Sequence, residues 1–292
     1  MKYSVFRNFN RDHLRAGFLI GPAFFWLMVF FLIPICILFV YSFCQKGVYG
    51  GVTWNFTFDN YRNVLNPVYI KIVLYSFWVA FLNTVICLII GYPMAYYIST
   101  RKSTKLKNAL ILLVILPFWT NFLVRTYSWM ILLRDSGLIN TLLLNAGFID
   151  EPLKLLFTKT AVLIGLVYGY LPFMVLPLYA SIEKVEPSLM EAAHDLGANS
   201  FKAFLKVMLP LTFPGIVAGC ILVFVPTLGA YITPDLLGGA KDMMIGNLIQ
   251  MQFLKSKNWP FGSSLSFIVM IIVLALLVLY IKFGDLEEEG KQ

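Results

Sequence analysis

The chain has 292 residues, 59% hydrophobic and 13% charged, with a mean hydropathy of +0.79; that combination excludes a soluble globular domain and identifies an integral membrane protein. A formal charge of +8 does not point to nucleic acid, because the Lys and Arg residues sit between apolar runs and are not interleaved with aromatics in a basic domain. The runs are long and lack the alternation of outer-membrane strands, so α-helices are the expected spanning element.

Taken in chain order, the N-terminus "MKYSVFRNFNRDHLRAGFLIGPAFFW" has the basic start of a signal peptide. Its apolar run is too long for a cleaved segment and no A-x-A site follows, so it is expected to remain as the first span. Crossing the hydrocarbon takes about 20 apolar residues, and six segments qualify: 16–44, 71–99, 108–133, 160–182, 211–234 and 263–283. An even number of spans puts both termini on one side of the membrane.

The basic residues decide which side. Lys2, Arg7, Arg11 and Arg15 precede span one, Arg101, Lys102, Lys105 and Lys107 fill the second connection, and Lys184, Lys202, Lys206, Lys282 and Lys291 bring this side to thirteen, against nine opposite. This side is expected to be cytoplasmic; the acidic tail "GDLEEEG" has little weight in orientation.

Cys36, Cys44, Cys87 and Cys220 lie in or beside apolar runs with no Cys/His spacing of a zinc site, and read as small buried hydrophobes. His13 and His194 are too far apart in sequence to suggest a metal or catalytic constellation. There is no G-x-x-x-x-G-K-[ST] loop to cradle nucleotide phosphates. An enzyme is not indicated, and no cofactor is implied.

The fourth connection holds "EAAHDLGANSFKAFLKVMLP", from Glu191 to Pro210, which is long for a turn and helical in pattern. Pro187 suits a first helical turn, Leu189, Met190, Ala193 and Leu196 give an apolar side, and Gly197 can end the helix. Asn199 or Ser200 can cap a second short helix with Phe201, Phe204, Leu205 and Met208 on its buried side, after which Pro210 leads into span five. Both helices are expected to lie across the cytoplasmic face. An amphipathic pair resting on lipid is one reading; the outward acidic pair Glu191 and Asp195 is the wrong sign for that and favours a protein partner.

This stretch resembles the EAA signature of ATP-binding-cassette importer permeases: Glu191, Ala192, Ala193, Gly197, Leu209 and Pro210 match, with Val207 where Ile is usual. The resemblance extends through "IIGYPMAYYIS", "LPFWTNFLVRTYSW", "GLVYGYLPFMVLPLYASIEK", "LPLTFPGIVAGCILVF", "DLLGGAKDMMIGNLI" and "NWPFGSSLSF" to the spermidine/putrescine permease family. It implies an all-α, six-span type I importer permease fold with a cytoplasmic coupling helix, in an inner membrane. Residues 1–70 would carry the first span and first periplasmic loop, 71–283 the five-helix transmembrane domain with its coupling segment at 187–210, and 284–292 a cytoplasmic tail. The implied partners are a second homologous permease, a cytoplasmic ATPase dimer and a periplasmic polyamine-binding protein. Glu191, Ala192, Ala193, Asp195, Gly197, Leu209 and Pro210 would form the ATPase-coupling site.

A passage for polyamines calls for carboxylates and aromatic faces, a cation over a ring gaining ~0.5–2 kcal/mol. Span five ends "FVPTLGAYITPDLLGG", where Pro226, Gly229 and Pro234 interrupt the helix beside Tyr231 and Asp235, as in broken membrane helices that line pathways. Trp119, Asn121, Tyr127 and Trp129 in span three and Tyr168 and Tyr170 in span four are further candidates. The aromatic belt at span ends is their alternative explanation, and a solvated carboxylate or helix cap is that of Asp235. Arg125, a charge within an apolar span, is expected to face protein or water as a structural or gating residue paired within the assembly. The same architecture could serve sulfate, ferric iron or another small solute, since the coupling segment carries no substrate information.

Overall fold

The computed structural model describes residues 21–239 and 242–289. Lys2, Arg7, Arg11, His13, Arg15, Lys241 and Lys291, with the first residues of the expected span one, lie outside them. The described chain forms two units, one from the N-terminal segment to Asn66 together with Ile249 onward, the other from Pro67 to Leu248.

In the first unit, α1 (Gly21–Ser42) is followed by a small antiparallel pair, β1 (Gln45–Lys46) and β2 (Val52–Thr53), and by α2 (Asp59–Val64). Buried Asn60 ties these pieces together, donating to the carbonyls of Ser42 at 3.0 Å and Cys44 at 2.7 Å. Helix α11 (Trp259–Glu289) packs along α1, with Phe39 edge-on to Phe267 at 5.3 Å.

The second unit contains α3 (Pro67–Ser99), α4 (Thr104–Trp119), α5 (Phe122–Leu133), α6 (Leu138–Asn145), α7 (Lys159–Ile182), α8 (Pro187–Asp195) and α9 (Ser200–Leu228), and α10 (Ile245–Leu254) begins there. Its centre is α3, α7 and α9 packed together around Cys87, Tyr92, Met174, Leu178 and Val223. Glycines set the close approach. Gly215 and Gly219 lie one turn apart on α9, and a Cβ on Gly215 would meet Ser181 and come within 2.9 Å of the Pro177 carbonyl, while one on Gly219 would reach the Met174 sulfur at 2.7 Å. Lipid tails are as apolar as the side chains and give no hydrophobic drive for association, so membrane helices associate through such small-residue contacts and through polar links. The links here are Asn83 donating to Thr227 at 2.8 Å and Tyr92 with Thr212 at 2.8 Å, all four side chains buried.

Among the described residues, five helices are long and apolar enough to cross a membrane: α1, α3, α7, α9 and the Trp259–Val278 part of α11. The expected third span is a bent pair, α4 turning by 90° into α5–α6, which makes a sixth crossing if its halves count as one. The break falls at Thr120–Asn121, where Asn121 accepts from the Leu123 amide at 2.8 Å and caps the new helix.

Three expectations are corrected. The second short helix beyond Gly197 does not lie apart from span five, because α9 runs unbroken from Ser200 through Pro210 to Leu228. Proline removes an amide and clashes with the carbonyl one turn back; here the Phe204–Met208 turn widens to a π-turn, the Leu209 amide bonding the Phe204 carbonyl, and the helix continues. Pro34 in α1 is accommodated likewise, with a π-turn at Met28–Leu32 and the Ile33 amide on the Met28 carbonyl. On the expected buried side, Met208 is buried, but Phe201 and Leu205 are exposed. Span five also ends at Leu228, short of the expected 234.

Candidate functional site

The segment from Pro187 to Asn199 is built by strong local signals. Pro187 opens α8 at its first turn, and Gly197, at φ +81°, ends it. The Gly197 amide bonds the His194 carbonyl at 2.9 Å and the Ala198 amide the Ala193 carbonyl at 3.0 Å, the paired bonds of a Schellman end that need a left-handed residue. Asn199 then accepts from the Lys202 amide at 2.8 Å and starts α9.

No residue of α8 is buried. Met190 leans on the central core, whereas Leu189 is 43% and Leu196 88% exposed, beside exposed Glu191, Ala192 and Asp195. Glu191 and Asp195 form no ion pair among the described residues. Leu209 is half-buried against the core and Pro210 is exposed, two residues beyond the π-turn. The docking candidates thus divide: Glu191, Ala192, Asp195 and Gly197 form one exposed knuckle with Ala193 half-buried beneath it, while Leu209 and Pro210 belong to the root of α9.

The pathway candidates fall into two neighbourhoods. At the bend, Arg125 is 8% exposed, its guanidinium 5.4 Å from the Phe122 ring and 5.8 Å from the Tyr168 ring. It donates to the Pro117 carbonyl at 3.0 Å, which also accepts from the Thr120 hydroxyl at 2.6 Å and amide at 3.3 Å. A cation at the C-terminal end of a helix suits its dipole and its orphan carbonyls. Arg125, Thr120, Ser128, Trp129 and Tyr168 line a cavity of about 410 Å³, in which Trp129 meets Tyr168 edge-on at 5.4 Å. Trp119 is 76% exposed and Tyr127 is also exposed; neither lines this cavity, and Asn121 serves as the cap of α5.

The second neighbourhood is the end of α9. A break inside a membrane leaves backbone groups that lipid cannot satisfy, and side chains from other elements take them up. The Tyr170 hydroxyl donates to the Pro226 carbonyl at 3.3 Å, and Asn247 donates to the Tyr231 carbonyl at 2.7 Å while accepting from the Met244 amide. Ser76 of α3 accepts from the Ile245 amide at 2.7 Å. Beyond the break, Pro234–Gly238 forms a π-turn whose Leu237 packs with Leu133 and Ala161, Trp129 lying against the same cluster. Asp235 and the Tyr231 ring are exposed, and Asp235 has no ion pair among the described residues. Ser76, Asn83 and Asn247 are not among the sequence candidates; their one signal is an uncharged polar side chain inside or just beyond an apolar run.

Apolar helices of spanning length, packed through glycines and buried polar links, define a multi-pass α-helical membrane protein that presents one capped helix with no buried residue. The chain belongs to the family of binding-protein-dependent transport system inner membrane components, whose model matches residues 88–283. It is 44% identical over 267 residues to the spermidine/putrescine transport system permease protein PotB of Haemophilus influenzae, covering 91% of this chain and 93% of that protein. Identity to PotB of Escherichia coli is 44% over 255 residues, covering 87% and 92%, and to the inner membrane ABC transporter permease protein YdcU of that organism 32% over 277 residues, covering 90% and 87%. The fold matches a chain of a bacterial ABC transporter that imports the acidic polysaccharide alginate, with a TM-score of 0.74 at 17% identity, covering 97% and 98%. The type I importer permease fold is thereby shown.

Proposed function

We propose that this chain is the permease subunit of an ATP-driven polyamine importer, pairing with a second homologous permease and taking spermidine or putrescine from a periplasmic binding protein. Both termini face the cytoplasm. Helix α8 is the coupling helix: its exposed face from Leu189 to Leu196 seats in a cytoplasmic ATPase, and the Schellman end at Gly197 passes the movement of that ATPase into α9.

The observation that carries this reading is α8 itself, a well-capped helix bearing apolar, small and acidic residues with no residue buried in its own chain. The names of the relatives at 44% identity support polyamine over sulfate or ferric iron. In the passage, the Trp129–Tyr168 pair and the exposed Tyr231 and Asp235 offer the ring faces and carboxylate that an ammonium group needs. Arg125 stands beside this route as a structural or gating cation, holding the bend rather than binding substrate.

Uptake of labelled spermidine and putrescine tests the reading, in cells lacking other polyamine importers, with and without this gene and its partners. Uptake that requires the gene and is blocked only by unlabelled polyamine supports it. Block by sulfate or ferric iron, or no gene-dependent uptake, rejects the substrate.

A further inference from the structure

Among the described carboxylates, Asp242 is unusual in being 8% exposed. The Tyr75 hydroxyl of α3 donates to its Oδ1 at 3.3 Å. Lys159, the first residue of α7, holds its ammonium nitrogen 5.2 Å from the centre of the same Tyr75 ring. A cation at the N-terminal end of a helix opposes the helix dipole, so helix stability gives no reason for lysine here. The ring does: a phenol that donates to a carboxylate becomes richer in electrons, and its face attracts an ammonium more strongly.

A lysine side chain is four methylenes ending in a primary ammonium, the same chemistry as the aminobutyl arm of putrescine and spermidine. We propose that Tyr75 and Asp242 form a receiving site for one ammonium end of the polyamine, and that Lys159 is its tethered occupant, displaced when substrate arrives. This rests on the polyamine reading and on the orientation that puts the starts of α3 and α7 on the outer side. The residues of the two neighbourhoods described above take no part. Lys159 would keep the ring face occupied by a matching cation between transport cycles, and would favour ligands able to outcompete a primary amine.

Uptake kinetics of the assembled transporter in cells test this, with membrane abundance measured for every variant. Lys159→Met removes the competitor and keeps the length of the chain; it lowers the apparent KM for spermidine by about three- to tenfold, within the range of a single cation–π contact, with Vmax little changed. Lys159→Arg keeps the charge and stays near the parent. Asp242→Asn raises KM by about tenfold, and the double variant shows no further effect of residue 159, because the site both residues share is gone. Should Asp242→Asn fail to reach the membrane, Tyr75→Leu, which removes the ring, replaces it in the double variant. An unchanged or raised KM in Lys159→Met, or full additivity in the double variant, overturns the proposal. If the parent transporter imports no polyamine at all, the functional reading fails first and separately.

Discussion

The seam between α7 and α9 and the knuckle at α8 are both built with small residues, and they use them for opposite ends. At the seam, Gly215 and Gly219 bring α9 against α7 until no Cβ fits. In the knuckle, Ala192 and Gly197 are exposed, and a Cβ at Gly197 would meet nothing within 4 Å. Small residues packed within a chain explain themselves, whereas small residues in a rigid, capped, unburied helix call for a partner surface. Helix α8 is joined to α9 through Asn199 and rests on the core through Met190, so under the proposed coupling a movement of α8 would reach the spans through the tightly packed seam.

The largest effect is expected at the seam. Gly215→Leu forces a side chain into Ser181 and the Pro177 carbonyl and costs ~3 kcal/mol, the upper end for overpacking, read as loss of the protein from the membrane fraction or a fall in its unfolding temperature in detergent. If abundance and unfolding temperature stay at parental values, the seam is not what holds α7 to α9. Next comes Asn247→Leu, which leaves the Tyr231 carbonyl and the Met244 amide without their buried partner, for ~1–3 kcal/mol; thermal unfolding of the solubilised chain reads it, and an unshifted transition would show those groups satisfied otherwise. Arg125→Met removes one of the donors on the Pro117 carbonyl and costs ~1–2 kcal/mol, with Arg125→Lys recovering part of it. At the small end, Ser263 is fully buried and its hydroxyl has no partner among the described residues, so Ser263→Ala is neutral or stabilises by up to ~1 kcal/mol.

How much of this could be read in the sequence follows from where the information sits. Apolar runs show where the chain crosses, because twenty-residue hydrophobicity is a local property, and the capping residues of α8 are legible for the same reason. The continuity of α9 through Pro210 was not, since proline reads as a stop until a π-turn is seen to absorb it. The bend at Thr120–Asn121 was signalled by Pro117, the Asn121 cap and a charge at Arg125, yet the apolar run passes over it without a gap. Tyr170 is a pathway candidate by sequence, and the structure engages its hydroxyl with the Pro226 carbonyl, 56 residues away. Partnerships of this kind, like Ser76 with Ile245 and Tyr75 with Asp242, join residues distant in the chain and leave no trace in any local pattern.

Gly197→Asp separates the two regions most directly. It puts a charge into the knuckle and leaves the seam untouched, and its left-handed backbone position costs a non-glycine residue only ~1 kcal/mol. Gly197→Asn, which bears the same strain without the charge, is the control. The measurement is the amount of ATPase subunit that co-purifies with the permease, at equal membrane abundance, for parent, Gly197→Asn and Gly197→Asp. The account predicts ATPase retained by the parent, largely retained by Gly197→Asn, and lost from Gly197→Asp together with uptake; full retention and normal ATP-driven uptake in Gly197→Asp would contradict it.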